Sequence, residues 1–186
     1  YEILNKESSK SSIGATGLIM IPHFHGSAAP FWNPRAKGLF FNISLDNTRG
    51  DFVRAIIEGV AIEIGHNIRL IQKLTGKINT VSVAGGMTRS DLFCDIQANI
   101  FNRKVARYKN SEASSLGAAI SAFTTLGVYE SIEIAQEYMV SDKPEIFLPT
   151  KEKVDEYYKI IVRKLALYDA INIGGIYKTF METETI

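Results

Sequence analysis

Residues 78–93 read Ile78-Asn79-Thr80-Val81-Ser82-Val83-Ala84-Gly85-Gly86-Met87-Thr88-Arg89-Ser90-Asp91-Leu92-Phe93, and this stretch decides the fold class. Its first seven residues are rich in β-branched side chains and predict a strand, which the two glycines stop. Ser90 or Asp91 then caps a helix whose core face is Leu92, Phe93, Ile96 and Ile100. A strand, a glycine turn and a capped helix in that order form one repeat of an α/β protein.

The pattern continues on both sides. Upstream, Val53, Ile56, Ile57, Val60, Ala61, Ile64, Ile68 and Ile71 recur every three or four residues and predict an amphipathic helix. Thr48 is its N-cap, Asp51 completes an acidic capping box, and Gly76 ends it. Before it come two predicted strands, Gly17 to Pro22 and Leu39 to Leu45, separated by a long loop holding Pro30 and Pro34. Downstream, Lys104 to Tyr108 predicts a short strand. Helices follow over about Ser114 to Leu126 and Ile132 to Met139. A long amphipathic helix then carries Val154, Tyr158, Ile161, Leu165 and Tyr168 on one stripe. Residues 1–16 read as a flexible, solvated lead-in, 17–172 as one domain with helices covering a sheet, and 173–186 as a frayed tail.

Composition narrows the function classes. The chain has 186 residues, 46% hydrophobic and 22% charged, which excludes disorder and low-complexity architectures. A net charge of +1 gives no electrostatic reason to expect nucleic acid or an anionic membrane as partner. Cys94 is the only cysteine, so an intrachain disulfide is impossible, and a reducing cytoplasmic compartment is the expectation. The first residue is Tyr1, which suggests a piece of a longer polypeptide with an incomplete N-terminal portion.

Taken singly, the local motifs leave alternatives open. The Gly85-Gly86 turn lies at the carboxyl end of a strand, where open α/β sheets bind ligands, and it precedes a helix N-terminus. It equally fits a tight turn that needs positive φ. Ser115-Leu116-Gly117-Ala118-Ala119 opens a helix with little side-chain bulk, as close packing against a sheet requires. His23 and His25 lack a third ligand nearby, so no metal site is expected. His66 reads as a helix-surface residue, Cys94 as a packed and inert thiol, and Phe31 with Trp32 as anchors of the proline-rich loop.

In order, the segments resemble the C-terminal domain of the FGGY carbohydrate kinases. The resemblance runs from Gly17 to Phe24, through Ala29-Pro30-Phe31-Trp32-Asn33-Pro34 to Gly38. It continues with Gly38, Phe40 and Ile43, then Asp51, Phe52, Ala55, Ile56, Ile57 and Glu58, where Asn42 stands in place of a signature glycine. Val83 to Asp91 is similar to the family's adenosine loop, and Glu112 to Ala119 to its alanine–glycine helix.

That resemblance implies an actin-like, ribonuclease-H-like domain with a mixed sheet and helices on both faces. It implies ATP with Mg²⁺, and a cofactor site formed by Gly85, Gly86, Met87 and Ser90. Ser90 occupies a position where an asparagine meets the adenine, keeping a short polar group without the amide. The implied partner is an N-terminal FGGY domain of the same polypeptide, and the implied acceptor is a sugar or polyol, with glycerol or a related polyol or sugar acid favoured by the loop at Ala29. Homo-oligomerisation is a further expectation. No aspartate here matches the family's catalytic base, so the chain alone is expected to be inactive. The competing readings are a non-catalytic actin-like nucleotide-binding or regulatory module, and a structural domain without ligand.

Overall fold

Thr48 and Asp51 fix the start of the longest helix packed into the core. Thr48 Oγ1 accepts the Asp51 N–H at 3.3 Å, while Asp51 Oδ2 accepts the Thr48 N–H at 2.7 Å. This reciprocal box satisfies donors that a helix start otherwise leaves free. The helix ends where Gly76, with φ 87°, donates its N–H to the Gln72 carbonyl.

A computed structural model of the chain describes residues 2–108, 113–140 and 143–182. Its elements are α1 (Glu2–Ser8), β1 (Ile19–Ile21), β2 (Leu39–Phe41), α2 (Arg49–Thr75), β3 (Thr80–Val83), α3 (Asp91–Phe101), β4 (Lys104–Arg107), α4 (Ala113–Thr125), α5 (Ile132–Met139), β5 (Glu145–Phe147), α6 (Lys151–Ile173) and α7 (Ile176–Glu182). Strands β1 and β2 form an antiparallel pair, with Met20 opposite Phe40. The other sheet has the order β3-β4-β5, parallel between β3 and β4 and antiparallel between β4 and β5. It is therefore a mixed sheet.

Register and alternation decide which face is buried. Val81, Val105 and Phe147 are aligned across the three strands and share one face. They pack into a core built by α2, α3 and α6, with Ile62, Ile96, Ile100, Phe101, Tyr157 and Ile161 at its centre. Each fully buried aliphatic or aromatic side chain there contributes about 1.5–3 kcal/mol. The other face carries the row Ser82, Ala106 and Ile146, and Leu116, Gly117 and Ile120 of α4 face Ser82 across a shared cavity. Helices thus stand on both faces, as expected.

Two buried polar clusters tie α6 to α2. In the first, Arg54 Nε donates to Glu58 Oε1 at 2.6 Å and Arg54 Nη2 to the Tyr157 hydroxyl at 2.7 Å. The Tyr157 hydroxyl and the Gly14 N–H both donate to the same Glu58 oxygen. In the second, Lys164 Nζ donates to the Gly59 carbonyl and to Glu63, whose other oxygen faces His23 Nε2 at 3.5 Å. Buried charges persist only when paired in this way.

Several sequence expectations are corrected. Residues 2–8 are not a flexible lead-in: α1 packs on α2, Ser8 and Ala15 are fully buried, and Arg49 Nε donates to Glu7 Oε2 at 2.6 Å. Within the tail, α7 is helical over Ile176–Glu182 and Tyr177 is buried, while residues 183–186 lie outside the described residues. Strands β1 and β2 span three residues each, shorter than predicted, and β5 was not foreseen. His66 is partly buried, its ring 5.4 Å from that of Phe31. Phe31 anchors the proline-rich loop against His23 and Tyr168, whereas Trp32 is 75% exposed.

Candidate functional site

Strand β3 delivers the chain to Gly85, whose φ of 109° and ψ of 176° suit glycine almost alone. A 3-10 turn over Gly86–Arg89 follows, and Ser90 caps α3 by accepting the Phe93 N–H at 3.4 Å. A Cβ placed on Gly85 or Gly86 would meet nothing within 4 Å. Both glycines therefore present open backbone at the carboxyl end of the sheet, next to the N-terminus of α3. The four residues named from sequence come together as one loop. Met87 projects from it, 47% exposed, and Ser90 has its oxygen engaged in the cap.

The loop is held from beneath. Thr88 is buried, and both its N–H and its hydroxyl donate to the Gly85 carbonyl, at 3.2 and 2.7 Å. The Thr88 carbonyl accepts from Cys94 Sγ at 3.3 Å and from Arg107 Nη1 at 3.0 Å. Arg107 also pairs with Asp91 at 2.7 Å and with Glu145, and its guanidinium lies 5.0 Å from the centre of the Phe147 ring. Burial pushes the Cys94 thiol above its ordinary pKa, against the opposing pull of Arg107, which suits a packed rather than a nucleophilic thiol.

Beside the loop opens a cavity of about 680 Å³. It is walled by Ser82, Val83 and Ala84 of the strand end, Leu116 and Gly117 of α4, and Gln136 of α5. A Cβ on Gly117 would also meet nothing within 4 Å, so the small-residue start of α4 adds bare backbone to this hollow. None of Gly85, Gly86, Met87 and Ser90 lines the cavity; the loop begins directly after Ala84.

Sequence reasoning did not single out Arg107 or Thr88. Arg107 reads in the sequence as the last residue of a short strand, and only the β3–β4 register, which sets it opposite Val83, shows that it reaches the loop. Among the described residues no group of three His, Cys, Asp or Glu side chains could hold a metal ion, and no helix is long and apolar enough to cross a membrane.

The fold and the loop describe an α/β domain with an open glycine turn at the carboxyl end of its sheet. Residues 2–126 match the FGGY family of carbohydrate kinases, C-terminal domain, and the chain belongs to that family. It is 35% identical over 162 residues to a xylulose kinase of Staphylococcus epidermidis, covering 86% of this chain and 32% of that protein. It is 34% identical over 163 residues to glycerol kinase 2 of Sulfolobus acidocaldarius, covering 86% of this chain and 33% of the other. Its fold superposes on the ligand-bound xylulose kinase of Lactobacillus acidophilus with a TM-score of 0.82 at 22% identity, covering 95% of this chain and 35% of that one. The fold is thus that of the FGGY sugar kinases, an actin-like ATPase fold. The chain spans about a third of the length of the relatives it matches.

Proposed function

We propose that this chain is the nucleotide-side, C-terminal domain of an ATP-dependent kinase that phosphorylates a hydroxyl of a small sugar or polyol. The observation that carries this reading is the loop from Gly85 to Ser90. Two glycines with open space where side chains would stand let a flat base or a ribose approach the backbone. The N-terminus of α3 lies directly beyond. Gly85, Gly86, Met87 and Ser90 form the adenosine contact. Ser90 Oγ already accepts the Phe93 N–H, which leaves its hydroxyl proton and one lone pair for the base. Magnesium would arrive on the nucleotide phosphates, since the described residues offer no carboxylate cluster for it.

Chemistry needs more than this loop. Asp51 is consumed by its capping box and by the hydroxyls of Ser11 and Thr16, and Asp91 is paired with Arg107. None of Asp46, Asp51 and Asp91 stands at the position that the family resemblance gives to the catalytic base. Phosphoryl transfer rests on positioning and charge neutralisation, so the chain alone should be inactive and should act with an N-terminal FGGY domain of the same polypeptide. Surface for such a partner exists: β3 pairs only with β4 among the described residues, and α2 leaves Ile56, Ile64, Ile71 and Leu74 exposed. We assign glycerol or a related polyol or sugar acid as acceptor, on the loop Ala29-Pro30-Phe31-Trp32-Asn33-Pro34, and the cytoplasm as the compartment.

The test is an amide NMR titration with Mg-ADP, with Mg-GDP as control. Selective shifts at Gly85, Gly86, Met87 and Ser90 are expected. Absence of any response at millimolar Mg-ADP would overturn the site. The acceptor is tested by coupled ADP release from the two-domain kinase, with glycerol, gluconate and xylulose compared. Turnover on xylulose alone would overturn the glycerol assignment.

A further inference from the structure

We propose that Arg107 is a positioning residue, whose guanidinium sets the backbone of the loop from Gly85 to Ser90. Its consequence for ligand binding rests on the nucleotide-site reading given above.

The connections form a short chain of cause. Arg107 ends β4 opposite Val83, directly beneath the turn, and its side chain is 15% exposed. Nη1 holds the Thr88 carbonyl at 3.0 Å, and Thr88 in turn holds the Gly85 carbonyl through two hydrogen bonds. Movement of Thr88 therefore carries Gly85 with it. The same nitrogen lies 2.7 Å from Asp91, the first residue of α3, so the loop and the helix N-terminus are referenced to one group. Nη2 pairs with Glu145 of β5, and Cζ stands over the Phe147 ring at 5.0 Å from its centre, which together hold the fork in place. A lysine ammonium could reach one of these oxygens, but it cannot hold all three in the planar arrangement of a guanidinium.

Removal of this group should leave the domain folded. Asp91 and Glu145 are 76% and 54% exposed, so both carboxylates would be hydrated, not stranded. The Thr88 carbonyl would keep its Cys94 contact. The loss falls on the definition of the loop.

The experiment compares the intact wild-type chain with Arg107→Ala, Arg107→Lys and Thr88→Val. The first readout is amide hydrogen exchange without nucleotide. Exchange at Thr88 and Ser90 should accelerate about tenfold in Arg107→Ala, while Val105 and Ala106 stay as in wild type. The second is Mg-ADP affinity by calorimetry, expected to weaken about tenfold in Arg107→Ala and Thr88→Val and less in Arg107→Lys. Loop amides exchanging at the wild-type rate overturn the proposal. So does wild-type-like Mg-ADP affinity in both Arg107→Ala and Thr88→Val. If wild type binds no Mg-ADP, the nucleotide reading fails, and the exchange measurement alone decides whether Arg107 positions the loop.

Discussion

Lys164 Nζ and Glu63 Oε1 meet at 2.6 Å, with the lysine side chain only 2% exposed, so the two long helices share one desolvated ion pair. Lys164 also donates to the Gly59 carbonyl at 2.9 Å. Lys164→Met keeps the volume but leaves Glu63 without its ammonium partner, facing only His23 Nε2 at 3.5 Å. A loss of about 3 kcal/mol is expected, because breaking a buried pair leaves the remaining charge uncompensated. Urea unfolding of the variant measures it, and unchanged stability would show that the pair is solvated.

Acid should unfold the protein through two carboxylates. Burial pushes Glu63 up, but His23 and Lys164 outweigh it and bring its pKa to about 2. Burial likewise pushes Asp51 up, and the hydrogen bonds from Ser11, Thr48 and Thr16 bring it to about 2. Both folded values lie below the unfolded ones. Their contribution is complete above the unfolded pKa and is lost as pH falls through the folded value. Glu58, pushed up by burial, offsets part of this at low pH. Urea midpoints should therefore fall from about pH 5 down to pH 2. Midpoints that hold steady or rise over that range would refute the assignment, and Lys164→Met should flatten the slope.

The two glycines of the loop should separate stability from binding. Gly85→Ala forces φ 109° on a side-chain-bearing residue and should cost about 1–3 kcal/mol. Gly86 has open space at its Cβ position and no such φ, so Gly86→Ala should change stability by no more than about 0.5 kcal/mol. A thermal melt of each variant beside an Mg-ADP titration distinguishes them. Weaker Mg-ADP binding by Gly86→Ala, at wild-type melting temperature, is the expected sign of close approach to that backbone.

Gly59 is a glycine for another reason. A Cβ there would lie 2.7 Å from the Met20 carbonyl oxygen, so α2 and β1 touch backbone to backbone. In an open helix Gly→Ala would gain about 1 kcal/mol of propensity. Here Gly59→Ala should destabilise by at least that amount, since the strand must shift. A stabilised variant in urea would contradict the contact.

Much of the fold was legible because periodicity carried it. The helical period from Val53 to Ile71, the cap at Thr48 and the stop at Gly76 located α2, but its buried face falls on Arg54, Ala55, Glu58, Ala61 and Ile62 and leaves Ile56, Ile64 and Ile71 exposed; the turn at Gly85 falls where the strand stops. What escaped depends on partners distant in sequence. Helix α1 has no apolar stripe; it is held by Arg49 on Glu7 and by Gly50, whose absent side chain lets α2 approach the Glu7 carbonyl, which an added Cβ would meet at 2.6 Å. Strand β5 is three residues long and exists through its pairing with β4. Arg107 looked like any polar residue at a strand end, because its three partners lie at residues 88, 91 and 145.

Asn42, where the family signature has glycine, has a φ of 67°, and its Nδ2 donates to the Gly17 carbonyl at 3.1 Å. Asparagine is the side-chain-bearing residue that tolerates this left-handed backbone best. Asparagine also wanders less than glycine in the unfolded chain, and its amide clasps the hairpin's other arm. This corner turns through a left-handed backbone, and the side chain that tolerates it also ties it to Gly17.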